Sequence, residues 1–261
     1  MRKIKKFLRN SKIILKHYKK ISKIQNEIKE KLDNVQFKFA SFGGADINYY
    51  VIKNNNKVGM LRLAIVDHKD TVLPIVRFIK KKRLDKEYTA YVIGSRKELT
   101  PRVLFKSDDA LVCEYLHGER AFSILRKNKS EVWNILRFAI TTYRELHDLG
   151  ITHLDATLKN FVLEEGRMKV IDFEYYPSKE LSMETQKAYD YVRIIEHTLR
   201  IVPIKYQKNY GEFIIFLQKT IPNEVKNADF TLVKQWIKNI ETFPIYTSLQ
   251  KEIFENLTFE K

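Results

Sequence analysis

The run His153-Leu154-Asp155-Ala156-Thr157-Leu158-Lys159-Asn160 is followed, twelve residues after Asn160, by Asp172-Phe173-Glu174. Taken singly, each of these is an ordinary polar loop residue. The ordered string is what carries information. It sets a carboxylate two places after a histidine, an amide five places further on, and a second carboxylate at the end of the apolar pair Val170-Ile171. Phosphoryl transfer asks for such a set. One carboxylate orients the acceptor hydroxyl and takes its proton. An amide oxygen and a second carboxylate hold the ion that neutralises the phosphates. Asp155 suits the first role, and Asn160 and Asp172 suit the second. Hard oxygen donors are what Mg²⁺ requires. His153 is expected to buttress the loop rather than to move protons.

Elements of known type must hold these residues. Ser130 can cap a long helix with Trp133, Leu136, Ile140, Tyr143 and His147 on one face, which Gly150 ends. The polar loop follows, then short β runs over residues 161–163 and 169–171. Helical patterns resume near Glu184 and continue to the end. The first half has a different period. Phe37 and Phe39, then Ile47, Tyr49 and Val51, then Val58, Met60, Leu61, Leu63 and Ile65 predict three antiparallel strands. Gly43-Gly44 and Asn54-Asn55-Asn56 supply the turns. Thr71 with Pro74 predicts a helix start, with the helix running to about Ile93. Two further strands are expected over residues 102–105 and 110–115. The resulting expectation is an α+β chain with two lobes around a cleft: an upper lobe over residues 35–115 and a helical lower lobe over residues 116–261.

Residues 1–34 stand apart. Ile4, Phe7, Leu8, Ile14, Tyr18, Ile21, Ile24, Ile28 and Leu32 recur at three- and four-residue steps, which predicts an amphipathic helix. Its other faces are lysine-rich. Such a helix either lies on an anionic membrane surface or packs its stripe on the body of the protein, and the two can hold at different ends. The chain carries a net charge of +16 over 261 residues, and residues 1–38 alone carry +10. An excess so placed points to an anionic partner.

The composition, 44% hydrophobic and 31% charged, excludes a disordered chain and fits a globular one. A single cysteine, Cys113 in an apolar run, excludes an internal disulfide and suits a reducing cytoplasm. The longest apolar run near the start, Ile13-Ile14-Leu15, is too short for a secretory signal. No stretch approaches the roughly 20 apolar residues of a membrane span.

Over residues 39–195 the sequence resembles the aminoglycoside and choline phosphotransferase branch of the protein-kinase-like superfamily. Ser41-Phe42-Gly43-Gly44-Ala45-Asp46-Ile47-Asn48 looks like its first hairpin. Met60-Leu61-Arg62-Leu63 looks like its third strand. Leu111-Val112-Cys113-Glu114-Tyr115-Leu116-His117-Gly118 looks like the lead into its interlobe hinge, and Leu146-His147-Asp148-Leu149-Gly150-Ile151-Thr152-His153 like its approach to the catalytic loop. The resemblance implies a kinase-like fold, ATP as donor and Mg²⁺ as cofactor. It implies that backbone at Gly43 and Gly44 approaches phosphate. Arg62 would clamp phosphate and take Glu87 as its helix partner, with Asp85 a near competitor. Glu114, Tyr115 and Leu116 would line the adenine slot, and Asp190 would brace the catalytic loop. Alone, Gly43-Gly44 is a hairpin turn and Arg62 an outward strand charge.

Asp172-Phe173 is followed by Glu174 rather than glycine, and only a short segment separates Asp172 from the next helical pattern. No Ala-Pro-Glu sequence appears. Regulated protein kinases use a longer segment there. The resemblance therefore implies a kinase for a glycan or small molecule, with the bacterial lipopolysaccharide core kinases the favoured subgroup. A compact atypical serine/threonine protein kinase and a soluble aminoglycoside- or choline-type phosphotransferase are the alternatives. The expected place is the cytoplasm, peripheral on the inner face of the membrane. Nucleic acid is not expected as a partner, although Lys80-Lys81-Lys82-Arg83 would suit a basic scaffold.

Overall fold

The computed structural model describes residues 2–43, 46–65, 70–72, 75–77 and 80–259. Three strands, β1 (Gln36–Gly43), β2 (Asp46–Lys53) and β3 (Asn56–Leu63), form where the period-two pattern places them. Asn54 and Asn55 turn the second hairpin with φ of 51° and 63°. Asparagine is among the few residues that tolerate this left-handed region. With β6 (Val103–Lys106) and β7 (Ala110–Glu114) these strands make one antiparallel sheet of order β1-β2-β3-β7-β6.

The sheet uses both faces. Ile47, Val51, Leu61, Leu63 and Val112 are buried on one side with Ile21, Ile24 and Ile28 of the helix α1 (Arg2–Leu32). The alternation Leu61-Arg62-Leu63 sends Arg62 to the other side. There the helix α2 (Lys80–Gly94) buries Leu84, Ala90 and Tyr91 in a second cluster, shared with the lower lobe. The expectation of an outward charge at Arg62 therefore fails for a specific reason. The face opposite the α1 core is an interior cleft.

Packing divides α1. Its second half is structural, whereas Leu15 and Tyr18 are exposed. Tyr18 does not share the buried face with Ile21, contrary to one sequence reading. Among the described residues no helix is long and apolar enough to cross a membrane.

Residues 70–77 also depart from expectation. The helix expected to begin at Thr71 begins at Lys80. Before it lie two short strands, β4 (Asp70–Val72) and β5 (Ile75–Arg77). Pro74, and with it the first-turn proline expectation, lies outside the described residues, as does Gly44. β5 pairs with β11 (Tyr175–Pro177), which follows Asp172 directly. Lys86 of α2 donates to the carbonyl of Tyr175 at the same place. Burial lowers the Lys86 pKa to about 8.

The lower lobe is built on two long helices, α4 (Val132–Asp148) and α5 (Met183–Leu199), preceded by the short α3 (Ala121–Lys127). Ser130 does not cap α4. It lies inside a short turn over residues 129–131 that Asn128 caps by accepting from the Ser130 N–H at 3.1 Å, and α4 follows from Glu131 without a side-chain cap. Gly150, at φ 74°, ends the segment as expected. Its N–H reaches His147 O, and the Ile151 N–H reaches Leu146 O, both at 3.0 Å. This is the paired closure that favours glycine. Ser182 caps α5 by accepting from the Thr185 N–H. Between the two helices run β9 (Phe161–Glu164) and β10 (Arg167–Val170), which join β8 (Glu119–Arg120), just ahead of α3, in a small antiparallel sheet of order β10-β9-β8. After α5 the helical pattern breaks into shorter pieces, the longest being α6 (Gly211–Thr220).

Candidate active site

A buried carboxylate organises the loop between α4 and β9. Asp190 of α5 accepts from the backbone N–H groups of His153 and Leu154, each at 2.8 Å, and lies 3.1 Å from His147 Nε2. Leu154 takes a left-handed conformation, φ 67°. That conformation costs a side-chain-bearing residue roughly 1–3 kcal/mol unless neighbours impose it. The two bonds to Asp190 impose it here, and the Leu154 side chain is buried in the lower-lobe core. His153 is buried and behaves as a buttress. Its Nε2 meets Ile171 O at 2.9 Å, and its Nδ1 accepts from the Asp155 N–H at 3.2 Å.

Asn160 follows in a short turn. Its Nδ2 donates to Asp155 O at 3.0 Å and comes within 3.5 Å of Asp155 Oδ2. Spending the amide hydrogens on the loop leaves Asn160 Oδ1 as an acceptor. The Ile171 N–H donates to Asn160 O at 2.9 Å, tying the start of the Asp172 segment to the loop. Asp172 is itself left-handed, φ 75°, and its N–H donates to the Tyr91 hydroxyl at 3.2 Å. Asn160, Ile171 and Asp172 thus reach one cleft of about 370 Å³, lined also by Asn48, Met60, Arg62, Glu87, Glu114, Tyr115 and Leu116. This size falls in the usual range for a small-molecule site. A larger cavity of about 510 Å³ beside α4 holds none of the motif residues.

Arg62 occupies the middle of the cleft. Its guanidinium lies 2.7 Å from Asp172, 3.2 Å from Glu87, 3.7 Å from Glu174 and 3.9 Å from Asp46. Burial alone would lower its pKa. The charges of Asp172, Glu87 and Asp46 outweigh that and hold it well above the ordinary guanidinium value. Burial raises the Glu87 carboxyl, although Arg62 pulls it the other way. The choice between Glu87 and Asp85 is resolved by geometry: Glu87 faces Arg62 while Asp85 pairs with Lys106 at 3.1 Å. Tyr91, one helical turn on, donates to Glu87 at 2.6 Å.

Glu114 turns its carboxylate away, to Arg102 at 2.8 Å. The Tyr115 N–H is taken by Val58 O at 3.1 Å. Gly43 ends β1 opposite Asp46. Cys113 also lines the cleft, and burial pushes its thiol up to about 12. A thiol so held is inert at neutral pH.

Sequence reasoning missed Asp46 and Glu174 as neighbours of Arg62, Tyr91 as the link between Glu87 and Asp172, and Arg120 at the cleft mouth. Only Asp46 carried a signal, its place directly after the glycine hairpin. The others depend on how α2 and β8 dock, which no local pattern shows.

No protein-family model matches the chain. A 64-residue segment is 38% identical to the KEOPS complex subunit Bud32 of Pyrococcus abyssi, covering 24% of this chain and 29% of that protein. The match therefore spans less than a third of the relative. Together with the sheet-and-helix lobes, it fits a protein-kinase-like superfamily. Asp172 and Asn160 supply two hard oxygen donors at the cleft floor, which fits Mg²⁺. That ion binds through one or two protein groups and completes its shell with water and phosphate.

Proposed function

We propose that the chain is a compact atypical protein kinase that transfers the γ-phosphoryl of ATP to a serine or threonine hydroxyl. The observation that carries this reading is the meeting of Asn160 and Asp172 with the Arg62–Glu87 pair in one cleft, beside the Asp155 loop. Asn160 Oδ1 and Asp172 would hold Mg²⁺, which when bound would offset the phosphate charge. Arg62 clamps phosphate oxygens, and the backbone at Gly43 covers them. The segment from Glu114 to Leu116 lines the slot for the base, with the Glu114 and Tyr115 N–H groups already held by Arg102 O and Val58 O. Asp155 orients the acceptor hydroxyl and takes its proton, held in place by Asn160 and His153. The short similarity to a Bud32 kinase supports a protein acceptor. Arg120 at the cleft mouth donates to Lys159 O at 2.6 Å, and this cationic rim favours an acidic segment of the partner.

One observation favours a second reading, the hydroxyl of a glycan such as a lipopolysaccharide core sugar. Only ten residues separate Asp172 from α5, and three of them are β11, paired to the upper lobe. That leaves little chain for a peptide platform.

The test is transfer from labelled ATP with Mg²⁺ to the protein itself, to acidic protein acceptors and to purified glycolipid, run on wild type and Asp155→Asn. The expected result is label on protein, slowed about 10²- to 10⁴-fold in the variant. Label on glycolipid alone selects the second reading. Equal transfer by both proteins would remove Asp155 from the chemistry.

A further inference from the structure

Helix α1 carries two apolar faces with different fates. Ile21, Ile24 and Ile28 are 4%, 5% and 0% exposed and belong to the core of the upper lobe. Lys20, paired with Asp109 at 2.5 Å, fixes the helix against the sheet at that level. One turn earlier, Leu15 and Tyr18 are 74% and 64% exposed. They sit three residues apart, so they share one helix face. Lys12, Lys16, Lys19 and Lys23 are exposed around them. Over residues 1–26 the sequence holds ten Lys and Arg and no Asp or Glu.

We propose that the outward face of α1 from Lys12 to Lys23 is a docking surface for an anionic lipid bilayer. Leu15 and Tyr18 enter the headgroup layer, and the four lysines meet lipid phosphates. The charge decides the occupant. A second copy of this chain would bring the same lysines face to face. A nucleic acid would satisfy the lysines, but an aliphatic Leu15 offers no base a stacking plane. An interfacial helix needs both features together, an apolar strip bordered by lysines. Tyrosine is also a residue that settles at headgroup level. The buried half of α1 serves as the mount, so the docking face is fixed relative to the cleft. This inference stands independently of which hydroxyl accepts phosphate.

The experiment uses the full chain with two vesicle types: phosphatidylcholine alone, and phosphatidylcholine mixed in equal parts with phosphatidylglycerol. Sedimentation is measured at low and high salt, beside binding to a single-stranded RNA oligonucleotide. Wild type should sediment with the anionic vesicles only and be released as the screening length shrinks from about 10 Å at 0.1 M to about 3 Å at 1 M salt. Replacing Lys12, Lys16, Lys19 and Lys23 with Gln should weaken binding on the order of 10³-fold. Leu15→Ser with Tyr18→Ser should weaken it roughly tenfold or more. Both variants should melt with wild type, because none of the six side chains is in the core. Unchanged vesicle binding by the Leu15/Tyr18 variant would overturn the proposal. So would RNA binding stronger than vesicle binding, or equal binding to neutral lipid.

Discussion

Arg62→Ala tests the electrostatic centre of the cleft most directly. The guanidinium is 19% exposed and stands within 4 Å of four carboxylates, three of them buried. Removing the cation leaves Asp46, Glu87 and Glu174 facing one another in a poorly solvated space. Breaking a buried ion pair from one side costs about 3–5 kcal/mol. For a chain of this size that is a fall of roughly 6–20 °C in melting temperature, and partial exposure of Arg62 places the expectation at the lower end. The pH dependence carries its own sign. Burial already raises the Glu87 carboxyl, and Arg62 is the group that lowers it. Without Arg62 the folded variant holds a proton that the unfolded chain releases near pH 4.3. A folded state that binds more protons gains stability as pH falls. The gap between wild type and variant should therefore be widest near pH 8 and narrow toward pH 5. Calorimetry across that range reads both quantities. A variant that melts with wild type at pH 8, or a gap that widens on acidification, would refute the assignment of Arg62 as the neutralising centre.

Three further outcomes are expected. Asp172→Asn should abolish the Mg²⁺-dependent part of the stabilisation by nucleotide, about 2.7 kcal/mol at a hundred times the dissociation constant, read as a thermal shift with Mg²⁺ against chelator. Asp190→Ala strips the acceptor from the His153 and Leu154 N–H groups, and thermal melting should show a loss of about 2–6 kcal/mol, about 1–3 kcal/mol for each buried N–H left unpaired, as left-handed Leu154 loses its support. Ile28→Ala should cost about 2–5 kcal/mol by leaving a cavity under α1, measured by denaturant unfolding.

The features legible in the sequence share a local cause. Strands β1 to β3 alternate at a period of two because one sheet face is core, and the loop from His153 to Asn160 is a contiguous string. Gly150 marks a helix end through its own backbone freedom. What the sequence concealed depends on partners far along the chain. Thr71 and Pro74 look like a helix start, yet β4 and β5 are set by a strand about 100 residues later, and the helix waits until Lys80. Ser130 is a good capping residue by type, but it lies inside the short turn over residues 129–131 that Asn128 caps, and α4 starts after it without a side-chain cap. In α1, Tyr18 fits a stripe drawn through Ile14 and Ile21, but the face that packs on the sheet is the narrower arc of Ile21, Ile24 and Ile28. Arg62 looked ambiguous because alternation tells which face a residue takes and not what covers that face.

The pairing of β11 with β5 has a mechanical consequence. The β5–β11 ladder ties the upper lobe to the segment after Asp172, beside the Val170 N–H to Leu99 O bond at 2.8 Å and the Arg62–Asp172 pair at 2.7 Å. The lobes are therefore clamped at several points around the cleft and not joined by the strand after Glu114 alone. A shift in the segment that carries Asp172 is passed to β5 through backbone bonds. Amide hydrogen exchange at Tyr175, Tyr176, Ile75, Val76 and Arg77 would read how often that ladder opens.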